Sequence, residues 1–304
     1  RDFEKETLKK GWLLPSYPAS REICTVGGMV ANNAGGEKSL TYGKTIEYIE
    51  SLIVVLADGN TYELKALSKS ETQEKMSQND FEGDLYRRLF KLITENQKQI
   101  ADSRPKVSKN SAGYQIWDVW DGKTFNLAKL FVGSQGTLGV ITEIKLRLIR
   151  PSHHRRLLAI FLRDADDLHR VIQCIMPYRP ESFEMYDDKT LKLALRFLPE
   201  FIKLVGARGL LSLARQFLPE FFMVLTGGVP SLVLLAEFAG DASPDVERRL
   251  LAANQDIGRM GIKTRIARSD ADRRKYWAIR HESFNLLRHK LRGLQTVPFI
   301  DDLI

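Results

Sequence analysis

The stretch TVGGMVANNAGG, Thr25–Gly36, sets four glycines around two adjacent asparagines. Glycine surrenders more freedom on folding than any other residue, so such a cluster implies a positive φ or a close approach of backbone to backbone or ligand. The amides of Asn32 and Asn33 add donors and acceptors of the kind that hold a polar ligand. From these residues two readings stay open: a surface turn beside a tight packing corner, or a backbone cradle. A second glycine group, Gly133, Gly136 and Gly139, lies in LFVGSQGTLGVITEIKLRL, Leu130–Leu148. Metal chemistry finds no such pattern. His153 and His154 are adjacent and cannot both face one ion from a helix, while His281 and His289 are eight apart. Cys24 and Cys174 form no CxxC unit. No metal site is expected, and both thiols are expected to be reduced.

Around these stretches the periodicity predicts the supporting elements. A charged helical stretch starts the chain, and PSYPAS makes an extended or turning segment set by Pro15 and Pro18. A short helix is expected through Met29–Ala34. Ile49–Ala57, the Asp58-Gly59-Asn60 turn and Thr61–Leu64 make a hairpin. Leu85, Leu89, Leu92 and Ile93 fall at helical spacing within Phe81–Ile100. Ile141, Ile144, Leu146 and Leu148 suit one buried strand face with a small slip in register. After Pro151 the texture changes to strand Leu157–Leu162, helix Asp164–Met176, strand Ser182–Tyr186, an insertion at 189–227, strand Ser231–Asp241 and helix Pro244–Met260. This predicts an α+β chain with a domain at 1–152 and a second at 153–304.

The 304 residues suffice for two domains, and 43% apolar and 28% charged residues are ordinary for a globular protein. A net charge of +8, spread over both halves, favours anionic partners: a phosphate-bearing cofactor, a carboxylate substrate or an acidic membrane surface. Nucleic acid is not expected, because no basic stripe is interleaved with stacking aromatics. The insertion contains an internal echo, RFLPEF at 196–201 and QFLPEF at 216–221. Leu191, Ala194, Leu195, Leu198 and Ile202 share a helical face, with Lys192, Arg196 and Lys203 opposite. No run approaches the roughly 20 apolar residues of a spanning helix. The insertion reads either as a helical lid or as a helical pair lying peripherally on an anionic membrane surface. Arg1 stands where an initiator methionine is absent, and TVPFIDDLI stops in mid-strand. The expectation is an interior piece of a longer protein, cytoplasmic or on the cytoplasmic membrane face.

TVGGMVANNAGG, Tyr42-Gly43 and LIVVLADG, taken in order, resemble the FAD-binding domain of the vanillyl-alcohol oxidase / p-cresol methylhydroxylase superfamily. The similar branch is the flavin-linked D-2-hydroxy-acid dehydrogenases: D-lactate dehydrogenase, the glycolate oxidase D subunit and D-2-hydroxyglutarate dehydrogenase. KNSAGY (Lys109–Tyr114) and Leu130–Leu148 are similar to later motifs of that domain. SFEMYDDKTL (Ser182–Leu191) and YWAIRHESFNLL (Tyr276–Leu287) are similar to the family's cap domain. The resemblance implies the second half of a p-cresol-methylhydroxylase-type FAD-binding domain, then a ferredoxin-like cap or substrate domain with a helical insertion. It implies FAD contacts at Ser20, Thr25, Gly27, Gly28, Asn33, Ala34, Gly35, Val140 and Ile141. Gly136 and Gly139 would shape their turn, and Asn32 is as readily a brace as a contact. Thr41, where many relatives have arginine, and Gln135, in place of the usual glutamate, depart from the pattern.

The same resemblance implies hydride transfer from the α-carbon of a D-2-hydroxy acid to flavin N5 while a base takes the hydroxyl proton. Arg280 aligns with the family's substrate-facing arginine, suited to pair with a carboxylate through two hydrogen bonds. By itself Arg280 reads as a helix-surface ion pair. The general base is not assigned and is expected beyond this chain. Glu184 and Asp187 are read as capping or structural, and Trp277 as packing. Relatives active on dicarboxylates carry a lysine near PFIDD, and Phe299, Ile300, Asp301 and Asp302 offer none, which favours lactate-like or glycolate-like substrates. Two other functions on this scaffold stay open: an ether-lipid-forming flavoprotein of the alkylglycerone-phosphate synthase type, and a non-catalytic flavin-binding subunit.

Overall fold

Residues 2–107, 110–196 and 228–290 are described by the computed structural model. They form two units, one closing at Pro151 and the other opening at Ser152.

The first unit is built on a four-stranded antiparallel sheet of order β3-β2-β1-β4, with β1 Ile49–Val55, β2 Thr61–Ser68, β3 Thr124–Asn126 and β4 Val140–Leu146. The predicted hairpin is present, with Val55 opposite Thr61. Its turn is set by Gly59 at φ 81° and by Asp58, which accepts from the Asn60 N–H at 3.1 Å. Period-two alternation buries Leu52 and Val54 on β1, while on β2 the buried residues Leu64 and Leu67 are three apart and so break the alternation. The expected slip in β4 is an irregularity at Thr142: Ile53 faces Glu143 but Val54 faces Ile141, which keeps Ile141 and Ile144 on one side. That face is half-buried, because β4 is an edge strand.

Helices α1 Asp2–Lys9, α2 Val26–Ala31, α3 Ser39–Tyr42, α4 Lys69–Ser77, α5 Phe81–Glu95, α6 Gln97–Ser103 and α7 Ala128–Phe131 complete this unit. The stretch read as one helix to Ile100 breaks at Asn96 into α5 and α6. The buried stripe of α5 centres on Tyr86, with Leu89, Phe90 and Ile93, and leaves Leu92 48% exposed. At ~100° per residue, Leu92 lies off that stripe.

The second unit is an antiparallel sheet of order β6-β7-β5-β8, with β5 His154–Leu162, β6 Ser182–Asp187, β7 Leu232–Gly240 and β8 Lys263–Ile266. Its helices are α8 Leu168–Ile175, α9 Asp188–Arg196, α10 Ser243–Arg259 and α11 Asp270–Lys290. Strand–helix–strand twice over, with this order, is the ferredoxin-like arrangement. Both faces of β5 are covered. Leu158 and Ile160 pack with α8 and α10, while Leu157, Ala159 and Phe161 pack with Tyr276, Trp277 and Ile279 of α11. That explains why β5 and β7 read as continuous apolar runs instead of alternating ones. Of the 189–227 insertion only the start, within α9, is described; the first echo motif beyond Arg196, the second echo motif and PFIDD lie outside the described residues. Among the described residues no helix is long and apolar enough to cross a membrane.

Candidate functional site

In the first unit, α2 begins where Thr25 accepts the Gly28 N–H on its side chain at 3.0 Å. It ends at Asn32, whose side chain is exposed and whose N–H caps the helix onto the Gly28 and Val30 carbonyls. The helix thus starts three residues earlier than the periodicity predicts, because the threonine cap fixes its entry. Asn33 is fully buried and left-handed at φ 48°. Its Oδ1 accepts the Ile46 N–H at 3.1 Å, and its carbonyl accepts from Ser111 Oγ at 3.4 Å. Ala34, also buried, accepts from the Thr45 N–H and hydroxyl at 3.0 and 2.7 Å.

The glycines of the loop do different work. A methyl group at Gly27 would meet nothing within 4 Å, so the backbone there borders open space. At Gly35 it would stand 2.5 Å from Ser39 Oγ, and at Gly36 it would overlap the Tyr17 carbonyl oxygen. Gly35 and Gly36 answer to close approach within the chain itself. Tyr17 is further tied to this loop by its hydroxyl, which donates to Glu37 at 2.7 Å. Burial, then the neighbouring Glu37 charge, push the Tyr17 hydroxyl far above its ordinary pKa, so it stays protonated.

The later glycine group joins the same place. The N–H groups of Gly133 and Gln135 donate to the Val30 and Ala31 carbonyls at 3.0 and 2.8 Å. Gly113 approaches Gly133, and Tyr114 and Thr137 share a hydroxyl hydrogen bond of 2.8 Å. Three segments therefore converge: the α2 loop, Asn110–Tyr114 and Gly133–Thr137. From there the chain enters β4 through Val140, 65% exposed, and the half-buried Ile141. Gln135 holds a left-handed turn at φ 52° with its side chain exposed. Ser20 lies ahead of the loop, exposed, with its carbonyl accepting from the Ile23 and Cys24 N–H groups. Buried in this convergence are three polar groups without a hydrogen-bond partner among the described residues: Asn33 Nδ2, Asn110 Nδ2 and Ser134 Oγ. Buried polar groups are almost always satisfied, so these three call for partners beyond the described residues, water included.

In the second unit, β6 and β7 present Glu184 and Glu237 to one face of α11. Arg273, Trp277 and Arg280 recur there at helical spacing. The Arg280 Nε and NH2 groups both donate to Glu184 Oε2, at 3.1 and 3.0 Å. Glu237, 4% exposed, accepts from Arg273 at 2.8 Å and from the Trp277 indole at 3.4 Å. Burial pushes the Glu237 carboxyl above its ordinary pKa, with the Arg273 charge opposing. His281 stacks on Trp277 at 5.2 Å. Asp187 caps α9, accepting from the Thr190 N–H at 2.8 Å, as expected. Glu184 has a structural role, as expected, and is the acid of the ion pair that Arg280 by itself was read to make, a partner the sequence did not name. It faces α11 because residues 182, 184 and 186 share one side of a strand, and that alternation was the available signal. Among the described residues no cluster of three His, Cys, Asp or Glu side chains could hold a metal.

Comparison with known proteins gives this architecture its class. Residues 151–303 match the FAD linked oxidases, C-terminal domain, and residues 1–65 match the FAD binding domain. The chain belongs to the FAD-linked oxidase family. It is 26% identical to D-2-hydroxyglutarate dehydrogenase of Escherichia coli (strain K12), over 96% of the chain and 28% of that protein. It is 26% identical to D-lactate dehydrogenase of Anaerostipes hadrus, over 92% of the chain and 45% of that protein. Against glycolate oxidase subunit GlcD of Bacillus subtilis (strain 168), identity is 28% over 62% of the chain and 30% of the relative. The chain thus spans less than half the length of these relatives. Among solved structures, alkyldihydroxyacetonephosphate synthase superposes with a TM-score of 0.60 at 16% identity, covering 94% of this chain and 41% of that one. p-Cresol methylhydroxylase superposes at 0.55 and 14% identity, over 94% and 48%. These two likenesses establish the fold.

Proposed function

We propose that the protein containing this chain oxidises a D-2-hydroxy acid of the lactate or glycolate type, with FAD as the hydride acceptor. The first unit suits that cofactor. The open space at Gly27, the converging glycine turns and the unpartnered Asn33, Asn110 and Ser134 side-chain groups together suit a polar ligand. In this reading Gly27 and Gly28 offer backbone with no side-chain bulk, and Thr25 and Ala34 hold that backbone in place. Asn33 supplies a donor from beneath, Gly35 permits the tight fold of the loop, Ser20 stands at its entrance, and Val140 and Ile141 border it. FAD, when bound, takes up the hydride released from the substrate α-carbon.

The observation that carries the substrate class is the guanidinium of Arg280, held by Glu184 at 3.0 and 3.1 Å on the cap unit. A permanently charged planar group with a fixed orientation suits one face of a carboxylate. Its role in this reading is to bind the substrate carboxylate and orient the α-carbon. The relatives' names, D-lactate dehydrogenase and D-2-hydroxyglutarate dehydrogenase, support a 2-hydroxy acid. Electrons then pass to a carrier that is not a nicotinamide, and the 189–227 segment is the proposed place of any peripheral membrane contact.

The test uses the complete protein. After purification and denaturation it should release a yellow flavin, and it should reduce an artificial dye with D-lactate or glycolate. Turnover with acyl-glycerone phosphates instead would replace this reading with ether-lipid synthesis. Bound flavin with no turnover on either substrate class would leave a non-catalytic flavin-binding subunit.

A further inference from the structure

We propose that the second unit carries a further binding pocket, held by Arg163 and Lys263, for a small organic monoanion with a compact apolar body, such as an aromatic carboxylate. The proposal does not depend on the Arg280 reading.

The pocket, of about 230 Å³, opens at the end of the second sheet, where β5 leaves, β7 enters and the chain turns from α10 into β8. Pairing of β5 with β8 sets Lys263 opposite Phe161, and Arg163 follows two residues after that ring. Phe161, Leu162, Pro230, Met260 and Ile262 supply the apolar part of the lining. Gly228 and Gly261, at φ 76° and 77°, also border it, and a methyl group at either would meet nothing within 4 Å. Bare backbone therefore faces open space at both positions. The volume exceeds the roughly 150 Å³ of a dry cavity that takes up benzene, which leaves room for a ring and a carboxylate.

The charges of this lining are unbalanced. Arg163 and Lys263 are exposed, and among the described residues neither side chain makes an ion pair or a hydrogen bond. Asp167 is the only acid among the described lining residues, and its carboxylate already accepts from Arg170 at 2.9 Å. Other arginines of this unit are matched by acids: Arg155 by Glu181, Arg156 by Glu247, Arg249 by Asp245 and Arg273 by Glu237. Two cations left over beside a partly apolar cavity complement a ligand that brings one negative charge and an apolar body. The guanidinium offers paired donors to a carboxylate, and the ammonium adds a point charge.

Isothermal titration calorimetry of the complete protein tests this with benzoate, benzyl alcohol and acetate. The proteins compared are the parent, Arg280→Gln, and Arg280→Gln with Arg163→Gln and Lys263→Gln added. The Arg280→Gln background keeps the proposed substrate site from reporting, and a thermal melt confirms that each variant is folded. In that background benzoate should still bind. Benzyl alcohol has the ring without the charge and acetate the charge without the ring, and each should bind at least fivefold more weakly. Adding Arg163→Gln and Lys263→Gln should weaken benzoate about tenfold, the size of two exposed charge contacts, and the difference should shrink as salt is added. Loss of benzoate binding on Arg280→Gln alone would place the anion at the proposed substrate site and end the proposal. Benzoate affinity unchanged by the added substitutions, or equal to that of benzyl alcohol, would overturn it as well.

Discussion

Gly36 lies directly against the carbonyl oxygen of Tyr17, so close that a methyl group at position 36 would overlap it. Nine residues earlier in the same motif, Gly27 faces open space. Two glycines that look alike in the sequence therefore carry opposite expectations. Gly36→Ala should destabilise the first unit by about 1–3 kcal/mol, because the backbone cannot yield as a side chain can. Gly27→Ala, inside α2, should leave stability unchanged or raise it by up to ~1 kcal/mol through helix propensity. If the loop holds the flavin, the same variant should retain less of it. Urea unfolding gives the first pair of results, and flavin absorbance after gel filtration gives the last.

Asn33 combines a left-handed backbone with a buried acceptor for the Ile46 N–H. Asn33→Ala loses the acceptor and adds backbone strain, and should cost about 2–4 kcal/mol. Asn33→Gly loses only the acceptor and should cost about 1–2 kcal/mol less than the alanine variant. Equal losses in chemical denaturation would show that the backbone angle contributes nothing.

The buried Glu237 carries a pKa raised by its burial. Its folded form holds the proton more tightly than its unfolded form, so between the ordinary glutamate pKa and the raised value the native state binds more protons. Stability contributed by this group is full below the ordinary value and is lost as pH rises through the raised one. Glu237→Gln removes that dependence. Whatever the substitution costs at low pH, where the parent carboxyl is protonated, the parent's advantage over the variant should shrink as pH rises above the ordinary glutamate range. Unfolding free energies of both proteins across a pH series make the check, and a gap that stays constant or widens would refute it.

Arg280→Lys keeps a positive charge but replaces a planar fork with a point charge. With Arg280 as the carboxylate site, KM for the hydroxy acid should rise about tenfold or more while the melting temperature stays within a degree or two. Steady-state dye reduction and a thermal melt on the complete protein decide it.

Much of this molecule was legible before folding. The hairpin at Val55 and Thr61 follows from an apolar run, an Asp-Gly turn and a second run, which are local and short-ranged. The α+β character of the second unit follows from its apolar runs alternating with helical stretches, its ferredoxin-like arrangement was implied only by the family resemblance, and the slip in β4 follows from one misplaced apolar residue. Helix ends were less legible: α2 starts at its threonine cap, and the break at Asn96 has no proline or glycine to mark it. β3 and β8 were not predicted, because three- and four-residue strands are too short for their alternation to stand out.

What the sequence determined by itself was the chemistry of the parts: a small-residue loop rich in amides, a permanently charged arginine, and apolar runs that must be buried. The tertiary structure decided which part does what. It turned Asn33 inward to brace Ile46 and left Asn32 outside, it gave Gly36 to Tyr17 and left Gly27 open, and it set Glu184 against Arg280 across 96 residues of chain. Those relationships depend on which distant atoms share a few ångströms, and no local propensity carries that information.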